Sequence, residues 1–361
     1  MAKYNKGNIG VITWHNYPNF GSALQAYALH TYINNLGKNA ILINYVPNSL
    51  PKYWKLRLFL SFFDFIIPKR LSSKLHYRFL AFEHKYFKET SLITSKSGLK
   101  DVVNEFDTFI CGSDQIWAPN VFDETYMLSF VPDGKKKYSY AASIGLSVVP
   151  KALRDKYKFL LSRFDDIAVR EQQGADLLKQ IFDIKAKVVL DPTFLIDANS
   201  WRSISKKPNI KEKYILCYFL GQTEKHRKIV EIISNQTGYK VICLSRFPID
   251  FRPTFITETD AGPREFLGLV ANASLVVTDS FHGLCFSINL NRDFYVVNRF
   301  TNNDPINQNS RIQNILGKMD LQDRLIDEAP SKIKSIDYIS VNVRLQKERD
   351  YSVEYLRSII E

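Results

Sequence analysis

The stretch that decides the fold is residues 262–283, which reads GPREFLGLVANASLVVTDSFHG. Its segment SLVVT, at 274–278, is predicted to be a short buried strand, because it is apolar and rich in β-branched residues. The polar turn TDSFHG, at 278–283, leads directly from this strand into an apolar helix over 284–290. A strand that turns at once into a helix is the unit from which open parallel sheets are built.

The same alternation continues on both sides of this stretch. Helical patterns over 22–36 and 150–163 separate the earlier apolar runs, and a lysine-rich break at 203–213 divides the runs into two series. The predicted strands are 8–13, 40–45, 106–111, 137–142, 166–170 and 187–190 before the break, and 214–219, 240–244, 274–278 and 293–297 after it. We therefore predict an α/β protein with two Rossmann-like parallel-sheet domains and helices on both faces of each sheet.

The length also indicates two domains, because 361 residues exceed what one hydrophobic core usually serves. The expected domains are residues 1–200 and 201–334. A C-terminal helix is predicted over 335–361, and whether it returns to the N-terminal domain is left open.

The composition is that of a folded globular protein, with 45% hydrophobic and 24% charged residues. The formal net charge is +12 and the isoelectric point is about 9.3, so acidic ligands, anionic lipid and nucleic acid are all compatible with it. Four cysteines without a C-x-x-C pair predict reduced, buried thiols and a cytoplasmic protein. No secretory signal region is expected, and the longest apolar stretch, at 58–67, is too short to span a bilayer.

Residues 51–90 depart from the strand–helix pattern. They hold nine Lys or Arg against three Asp or Glu, with eleven interleaved aromatic residues. This composition is typical of an amphipathic helix on an anionic membrane and also of a nucleic-acid groove. A helical insertion that packs its aromatics and exposes its lysines is the favoured explanation. Peripheral contact with the inner face of an anionic membrane through 51–90 is kept as the second hypothesis. No nucleic-acid binding is expected, because no recognised motif accompanies the charge.

Several standard signatures are absent from the sequence. It contains no G-x-G-x-x-G, no G-x-x-x-x-G-K-[ST], no H-E-x-x-H and no paired Cys/His spacing. We therefore expect no metal and no nucleotide-type cofactor, and we look for the site among polar clusters at strand ends, where open α/β sheets bind ligands.

Two of these clusters are predicted to contact an acceptor molecule. The loop after strand 8–13 contains Asn19, Gly21 and Gln25, which suit a tight turn open to a ligand, although turn chemistry alone also explains the Asn and Gly. After strand 106–111 come four more candidates, which are Ser113, Asp114, Gln115 and Trp117. Asp114 could position a sugar hydroxyl and Trp117 could face the ring, while helix capping is the structural alternative.

The other two clusters are predicted to bind an anion and to move a proton. Arg170 ends strand 166–170 and offers a planar fork to a carboxylate or phosphate, unless it pairs with Glu171 or Asp191. Ser280 caps the helix that follows strand 274–278, and Gly283 adjoins His282 in that turn. The positive end of the helix favours an anion, and the histidine is suited to acid–base chemistry.

At these residues the chain resembles the polysaccharide pyruvyl transferase family. The motifs that carry the resemblance are N-x-x-N-F-G-S-A-L-Q-A-Y-A-L at 16–29, FDTFICGSDQIW at 106–117, YAASIG at 140–145, AVRE at 168–171, VLDPT at 189–193, the stretch 262–283, and NSRIQNIL at 309–316. Their order and spacing over nearly the whole chain are more specific than any one of them.

The resemblance implies a GT-B-like fold whose two domains face a cleft, and transfer of pyruvate from phosphoenolpyruvate onto two hydroxyls of a sugar as a cyclic ketal. It implies phosphoenolpyruvate as co-substrate, with no other cofactor, and a glycan or lipid-linked sugar as acceptor. His282 is then the acid–base catalyst and Asp114 the group that orients or deprotonates a hydroxyl. The site at the end of strand 166–170 and the helix start at Gly283 would hold the donor.

One position departs from the family pattern. Some members carry an arginine two positions before the histidine, where this chain has Ser280. The missing charge is expected from Arg264, Arg311 or Arg170. Two other hypotheses stay open, a GT-B-type glycosyltransferase that uses a nucleotide-sugar and a non-catalytic glycan-binding module.

Overall fold

The computed structural model describes residues 7–46, 71–301, 304 and 307–361, and the side chains of the second range from residue 74. The chain divides into two compact units. Unit 1 comprises Met1–Phe63, Glu83–Leu195 and Lys347–Glu361, and unit 2 comprises Asp64–Phe82 and Ile196–Gln346. The sequence placed all of 51–90 in the N-terminal domain, whereas the described residues 71–82 belong to unit 2. Residues 51–70, on which most of the membrane prediction depends, lie outside the described residues.

Unit 1 is built on a six-stranded sheet in the order β2-β1-β3-β4-β5-β6, with every pair parallel. Its strands are β1 (Asn8–Ile12), β2 (Asn39–Leu42), β3 (Thr108–Cys111), β4 (Lys136–Ala142), β5 (Asp166–Val169) and β6 (Lys187–Val188). Successive residues alternate between two cores, since Phe109 and Cys111 pack on one face of the sheet and Ile110 on the other. Burial on both faces explains why these strands are continuous apolar runs.

The helices of unit 1 cover both faces of that sheet. They are α1 (Phe20–Asn35), the end of α2 (Leu71–Tyr86), α3 (Lys96–Val102), α4 (Lys151–Leu161) and α5 (Gln172–Phe182). The last part of the C-terminal helix also packs here, with Tyr355 stacked on Tyr140 and its hydroxyl donating to Ser139 O at 2.9 Å.

Unit 2 is built on a five-stranded parallel sheet in the order β11-β10-β7-β8-β9. The strands are β7 (Tyr214–Tyr218), β8 (Lys240–Leu244), β9 (Phe255–Glu258), β10 (Leu275–Thr278) and β11 (Phe294–Val296). Strand β9 was not predicted, because it lies at the edge of the sheet and leaves Ile256 53% exposed, so it lacks a continuous apolar pattern.

The helices of unit 2 are α6 (Ala198–Ile204), α7 (Glu224–Thr237), α8 (Pro263–Asn272), α9 (Phe281–Asn289), α10 (Ser310–Met319) and the first part of α11 (Tyr338–Ile360). Aromatic rings join several of them, since Phe286 lies edge-on to both Trp201 and Phe266. Within the described ranges, no helix combines the length and apolarity needed to cross a membrane. All four cysteines are buried free thiols.

Each sheet has one point at which the strand order reverses direction. In unit 1 the chain builds outward from β1 to β2 and then places β3 on the other side of β1. In unit 2 it builds from β7 to β9 and then places β10 on the other side of β7. Loops that leave such neighbouring strands in opposite directions open a crevice at the carboxyl edge of the sheet, which is where α/β proteins bind ligands.

Candidate active site

The switch point of unit 2 lies where strand β10 turns into helix α9. The Ser280 hydroxyl accepts a hydrogen bond from Gly283 N at 3.3 Å, which confirms it as the cap of this helix. The Ser280 N–H donates to Thr278 Oγ1 at 3.0 Å. A Cβ on residue 283 would lie 2.6 Å from Thr278 Oγ1, so only glycine lets the helix start this close to the strand.

His282 lies in the first turn of α9, with 8% of its surface exposed. Its ring stands edge-on to the ring of Phe281, 5.3 Å between centroids. The amino end of the helix carries partial positive charge, which stabilises an anion bound beside it. The arrangement therefore places an imidazole beside a helix terminus that attracts anions.

Asp279, the residue before the cap, holds the neighbouring loop in place. Its carboxylate accepts from Leu220 N at 2.7 Å and from Gly221 N at 2.8 Å. Burial raises the pKa of Asp279, while these two N–H groups and the charge of Arg299 act in the opposite direction. Asp279 thus ties the turn after β7 to the turn before α9.

A buried ion pair holds the same loop from its other side. Arg227 donates to Asp250 Oδ1 from Nε at 3.0 Å and from Nη2 at 2.6 Å, and its Nη1 donates to Gly221 O at 2.7 Å. The second oxygen of Asp250 accepts from Arg246 N and Phe247 N at 2.8 and 3.0 Å. This Arg227–Asp250 pair therefore connects the turns that follow β7 and β8.

Three further arginines belong to the loops and the helix start at this edge of the sheet. Arg246 follows β8 and is hydrogen-bonded to the Tyr218 side chain at the end of β7. Arg299 follows β11 closely, and a Cβ on residue 221 would lie 3.1 Å from its Cγ. The guanidinium of Arg311 lies 5.8 Å from the centre of the Phe281 ring in the first turn of α9. Three arginines from different loops and a helix thus belong to this edge of the sheet, and Arg311, which also donates from Nη2 to Gln308 Oε1 at 2.7 Å, is the one that contacts the helix start.

Arg246 and Arg299 were missed by the sequence analysis, although a signal for them exists. Each lies only two residues after the end of a predicted strand, and the other candidate residues were chosen because they follow strand ends in the same way. Arg311 was among the arginines expected to supply the missing charge. It contacts the ring of Phe281, which is the residue directly before His282 in the chain. Arg264, in contrast, donates from Nε to Ile204 O at 2.9 Å, toward the segment that precedes β7.

The switch point of unit 1 holds Asp114 in the turn after β3. Its carboxylate accepts from Ser22 Oγ and, at 2.9 Å, from the N–H of Gln115. The residue has a φ of +67° and is 7% exposed. The turn requires glycine at 112, because a Cβ there would lie 2.2 Å from Tyr140 O. Asp114 is therefore fixed in direction by the first turn of α1.

Gln25 was predicted to contact an acceptor, and the structure contradicts this. The side chain is completely buried, and its Nε2 donates to Thr13 Oγ1, Trp14 O and Ser22 O at 3.0–3.1 Å. Its Oε1 accepts from Ser113 N at 3.0 Å. Gln25 therefore joins the loop after β1 to the loop after β3 and offers no surface to a ligand.

The predictions that Ser113 and Trp117 contact an acceptor are also contradicted, because both side chains are buried. Ser113 is fully buried, and its hydroxyl lies 2.9 Å from Ala141 O and 3.0 Å from Asp191 Oδ2. Trp117 is also fully buried, donates from Nε1 to Tyr126 O at 3.0 Å and packs edge-on against Phe164. An indole inside the core cannot stack on a pyranose ring.

Arg170 was predicted to bind the donor, but the structure favours its alternative role as an ion pair. Its Nη1 lies 2.8 Å from Asp191 Oδ2, its Nε lies 3.7 Å from Glu171 Oε2, and all three residues are buried. Two carboxylates around one guanidinium leave a net negative charge, which disfavours an anionic ligand. Arg170 therefore stabilises the carboxyl end of β5.

The remaining predicted acceptor residues differ in their surroundings. Asn19 is the cap of α1 and accepts from Ser22 N at 3.2 Å, so turn chemistry accounts for it. Gly21 is buried in the first turn of that helix. Gln115 is half-buried beside Gly145, where a Cβ would meet its Nε2 at 2.3 Å. Of the unit 1 candidates, Asp114 and Gln115 retain a side chain suited to ligand contact.

His15, a buried histidine on the loop after β1, has a partner in Glu89 that the sequence pattern did not indicate. His15 Nδ1 lies 3.0 Å from Thr13 O, and Nε2 lies 3.4 Å from Glu89 Oε2. Because a carbonyl can only accept, Nδ1 carries a proton and Nε2 faces the carboxylate.

Across the described part of the chain, no group of three or more His, Cys, Asp or Glu is placed to hold a metal ion.

Comparison with solved structures addresses the fold. The chain is similar to a putative UDP-N-acetylglucosamine 2-epimerase from Listeria monocytogenes, at 11% identity over 97% of this chain and 91% of that chain, with a TM-score of 0.53. It is also similar to S. aureus MnaA in a structure with UDP, at 13% identity over 94% and 87%, with a TM-score of 0.52. A Methanocaldococcus jannaschii UDP-GlcNAc 2-epimerase gives 13% identity, 94% and 99% coverage and a TM-score of 0.50. These similarities confirm the GT-B-like fold class.

Comparison of sequences addresses the family. No curated protein matches the chain. A family model described as polysaccharide pyruvyl transferase matches residues 19–299. This range begins at the cap of α1, includes the turn at Asp114 and the helix start at His282, and ends at Arg299. The chain therefore belongs to the polysaccharide pyruvyl transferase family.

Proposed function

We propose that this protein transfers a pyruvyl group from phosphoenolpyruvate to two hydroxyls of a sugar, in a glycan or a lipid-linked precursor, and forms a cyclic ketal. The observation that carries the proposal is the start of helix α9, where His282 lies one turn from the strand end, beside a capped helix terminus. Membership of the family supports the same reaction.

The donor carries a phosphate and a carboxylate, so its site needs several cationic groups. In unit 2 these are Arg246, Arg299 and Arg311, which together with the amino end of α9 supply the charge that Ser280 does not. Arginine suits this task because its planar fork donates two parallel hydrogen bonds to a carboxylate or phosphate. The buried carboxylate of Asp279 is already occupied by two backbone N–H groups and contributes rigidity to the site.

The reaction adds an alcohol across the double bond of phosphoenolpyruvate. A proton goes to the methylene carbon, which becomes a methyl group, and the first sugar hydroxyl bonds to the neighbouring carbon and gives up its proton. Phosphate then leaves with its bonding electrons, and the second hydroxyl takes its place, gives up its proton and closes the ketal. A histidine is suited to the proton transfers because its ordinary pKa lies near neutrality. We assign them to His282.

Asp114 is the candidate for the acceptor side of the reaction. Its carboxylate is oriented by Ser22 and by the N–H of Gln115, so it can accept a hydrogen bond from a sugar hydroxyl in a fixed direction. The Asp114→Asn variant should lower kcat about 10²-fold while leaving the KM for phosphoenolpyruvate within threefold, if the carboxylate serves the hydroxyl and not the donor.

The proposed place of action is the cytoplasm, at the inner face of a membrane when the acceptor is lipid-linked. The four buried free thiols support a reducing compartment.

The test is to incubate the protein with phosphoenolpyruvate and candidate sugar acceptors, and to measure acceptor-dependent phosphate release and a ketal in the product by mass spectrometry. Parallel reactions contain nucleotide-sugars in place of phosphoenolpyruvate. Phosphate release that requires both substrates supports the proposal. Nucleotide release from a sugar nucleotide, with none from phosphoenolpyruvate across a broad acceptor set, contradicts it in favour of a glycosyltransferase.

A further inference from the structure

Unit 1 contains a cavity that shares no residue with the loops at Asp114. It has a volume of about 330 Å³ and lies between helices α3 and α4 and the turn at Glu124–Met127. Arg163, one of its lining residues, comes shortly before the first residue of β5, at the amino edge of the sheet. Asp114 follows β3 at the carboxyl edge. We call this feature the α3–α4 cavity.

Positive charge predominates in the α3–α4 cavity. Its lining includes four cations, Lys96, Lys100, Lys156 and Arg163, and one carboxylate, that of Glu124. Arg163 also pairs with Asp133, which lies outside the lining, at 3.3 Å, so the four cations meet two carboxylates. The Glu124 carboxylate binds both Lys156, at 2.7 Å, and Lys96, and these two contacts lower its pKa. Glu124 therefore stays ionised and holds two ammonium groups side by side. An anion is attracted to such a cluster, and the attraction weakens with added salt.

The rest of the lining is apolar. Leu99 and Leu160 form a buried floor with 1% and 3% exposure, and Phe130 is half-buried beside them. Phe159 is 64% exposed, although it belongs to the regular helix α4 and its neighbours in the sequence are buried Leu160 and exposed Lys158. An aromatic side chain exposed among lysines is typical of a surface that enters the boundary layer of a membrane.

We infer that the α3–α4 cavity binds the phosphate headgroup of an anionic phospholipid, with the first part of the lipid chains against its apolar floor. The lysines and Arg163 match the phosphate in charge. A soluble phosphate compound would gain nothing from Leu99, Leu160, Phe130 and Phe159, which is why a lipid is favoured over a free phosphate. The inference does not depend on the reaction proposed above.

The experiment is co-sedimentation of the full chain with phosphatidylcholine vesicles, with and without an equal share of phosphatidylglycerol. The wild-type chain should sediment with the anionic vesicles and stay in solution with the neutral ones. The double variant Lys100→Glu with Phe159→Ser should bind the anionic vesicles about tenfold more weakly, since it reverses one charge and removes one interfacial aromatic. Thermal melting checks that it folds like the wild type.

The matched control is Lys228→Glu with Ile232→Ser on helix α7 of unit 2, which changes an exposed lysine and a 47% exposed apolar side chain in the same way. This control should bind like the wild type. A second double variant, Lys69→Glu with Arg70→Glu, measures how much of the vesicle binding depends on the basic segment 51–90. Cavity variants that bind like the wild type would overturn the inference, as would wild-type protein that ignores anionic vesicles.

Two soluble probes separate the lipid from a free phosphate. Dihexanoyl phosphatidylglycerol below its micelle concentration should raise the Tm of the wild type and not that of the cavity variant. Glycerol phosphate should raise neither. An equal rise with glycerol phosphate would show a site for a soluble phosphate and would contradict the assignment to lipid.

Discussion

The loops at Asp114 and at His282 occupy the same position in two sheets of the same design, yet their polar side chains do different work. In unit 1 most polar groups at the strand ends bind one another, as Gln25 and Ser113 do. In unit 2 the buried groups Asp279 and Arg227 hold the backbone turns, and Arg311, which donates to Gln308 Oε1 at 2.7 Å, lies beside Phe281 at the helix start. One switch point is mainly internally bonded, and the other is cationic.

This difference shows that a polar residue at a strand end can serve a ligand or the scaffold, depending on how completely its neighbours satisfy it. Burying an unsatisfied polar group costs about 1–3 kcal/mol, so buried groups such as the Gln25 amide are paired within the protein. The comparison can be tested by four changes, two in each unit.

The largest effect is expected at His282. Replacing it with Ala should lower kcat/KM for pyruvyl transfer by about 10²- to 10⁴-fold, because one acid–base group contributes this much to the rate. Phosphate release measured against the same acceptor checks it, with the melting temperature as a control for folding. A variant within threefold of the wild type would mean that unit 2 supplies no proton transfer.

The next effect is a loss of stability at the Arg227–Asp250 pair. Arg227→Met leaves Asp250 buried without its partner and should lower the free energy of unfolding by about 3–5 kcal/mol in urea denaturation. The control is Arg252→Met, which removes a more exposed guanidinium from Glu224 and Glu231 and should cost about 1 kcal/mol or less. Equal losses in the free energy of unfolding for the two variants would show that the buried Arg227–Asp250 pair stabilises the protein no more than an exposed pair does.

A third effect concerns His30 on helix α1 of unit 1, and it depends on pH. Burial, with the charge of Lys88, lowers the pKa of His30 to about 4. The unfolded chain therefore takes up a proton near pH 6.5 that the folded chain resists, so stability is full above pH 6.5 and falls as the pH drops toward 4. His30→Leu should remove up to about 3 kcal/mol of this acid sensitivity.

The measurement for His30 is the free energy of unfolding at pH 7 and pH 4.5 for the wild type and the variant. His84→Gln is the control, because His84 is exposed on α2. Between these two pH values, the free energy of unfolding should change less for His30→Leu than for His84→Gln. An identical slope would show that His30 is not buried in its neutral form.

The smallest effect is expected at Gln25. Gln25→Ala removes bonds to Ser113 N and to the loop after β1 and should cost about 1–3 kcal/mol of stability. Gln115→Ala, at a half-buried position of the same site, should change stability by about 0.5 kcal/mol or less. Urea denaturation of both variants decides whether Gln25 is a scaffold residue, and a smaller loss for Gln25 than for Gln115 would reverse their roles.

Much of the fold could be predicted from the sequence because parallel strands buried on both faces are continuous apolar runs. All but β9 were located, and β9 fails the pattern because edge position leaves one face exposed. The helix cap at Ser280 could be predicted as well, since it depends on contacts within four residues.

The candidate site could be predicted only where local contacts decide it. Trp117 and Arg170 were misassigned because their partners, Tyr126, Phe164 and Asp191, come from other parts of the chain. The link between Arg227 and Asp250 spans 23 residues and has no pattern of its own. Whether a polar side chain is satisfied is a property of the packed structure, which a single sequence does not display.

The most direct test of the central claim is a crystal structure of the protein with phosphoenolpyruvate bound. The account predicts density for the phosphate and carboxylate at the start of helix α9, in contact with at least two of Arg246, Arg299 and Arg311, and with the methylene carbon within reach of His282. Phosphoenolpyruvate bound instead at Arg170, or a site at α9 that stays empty at saturating concentration, would contradict it.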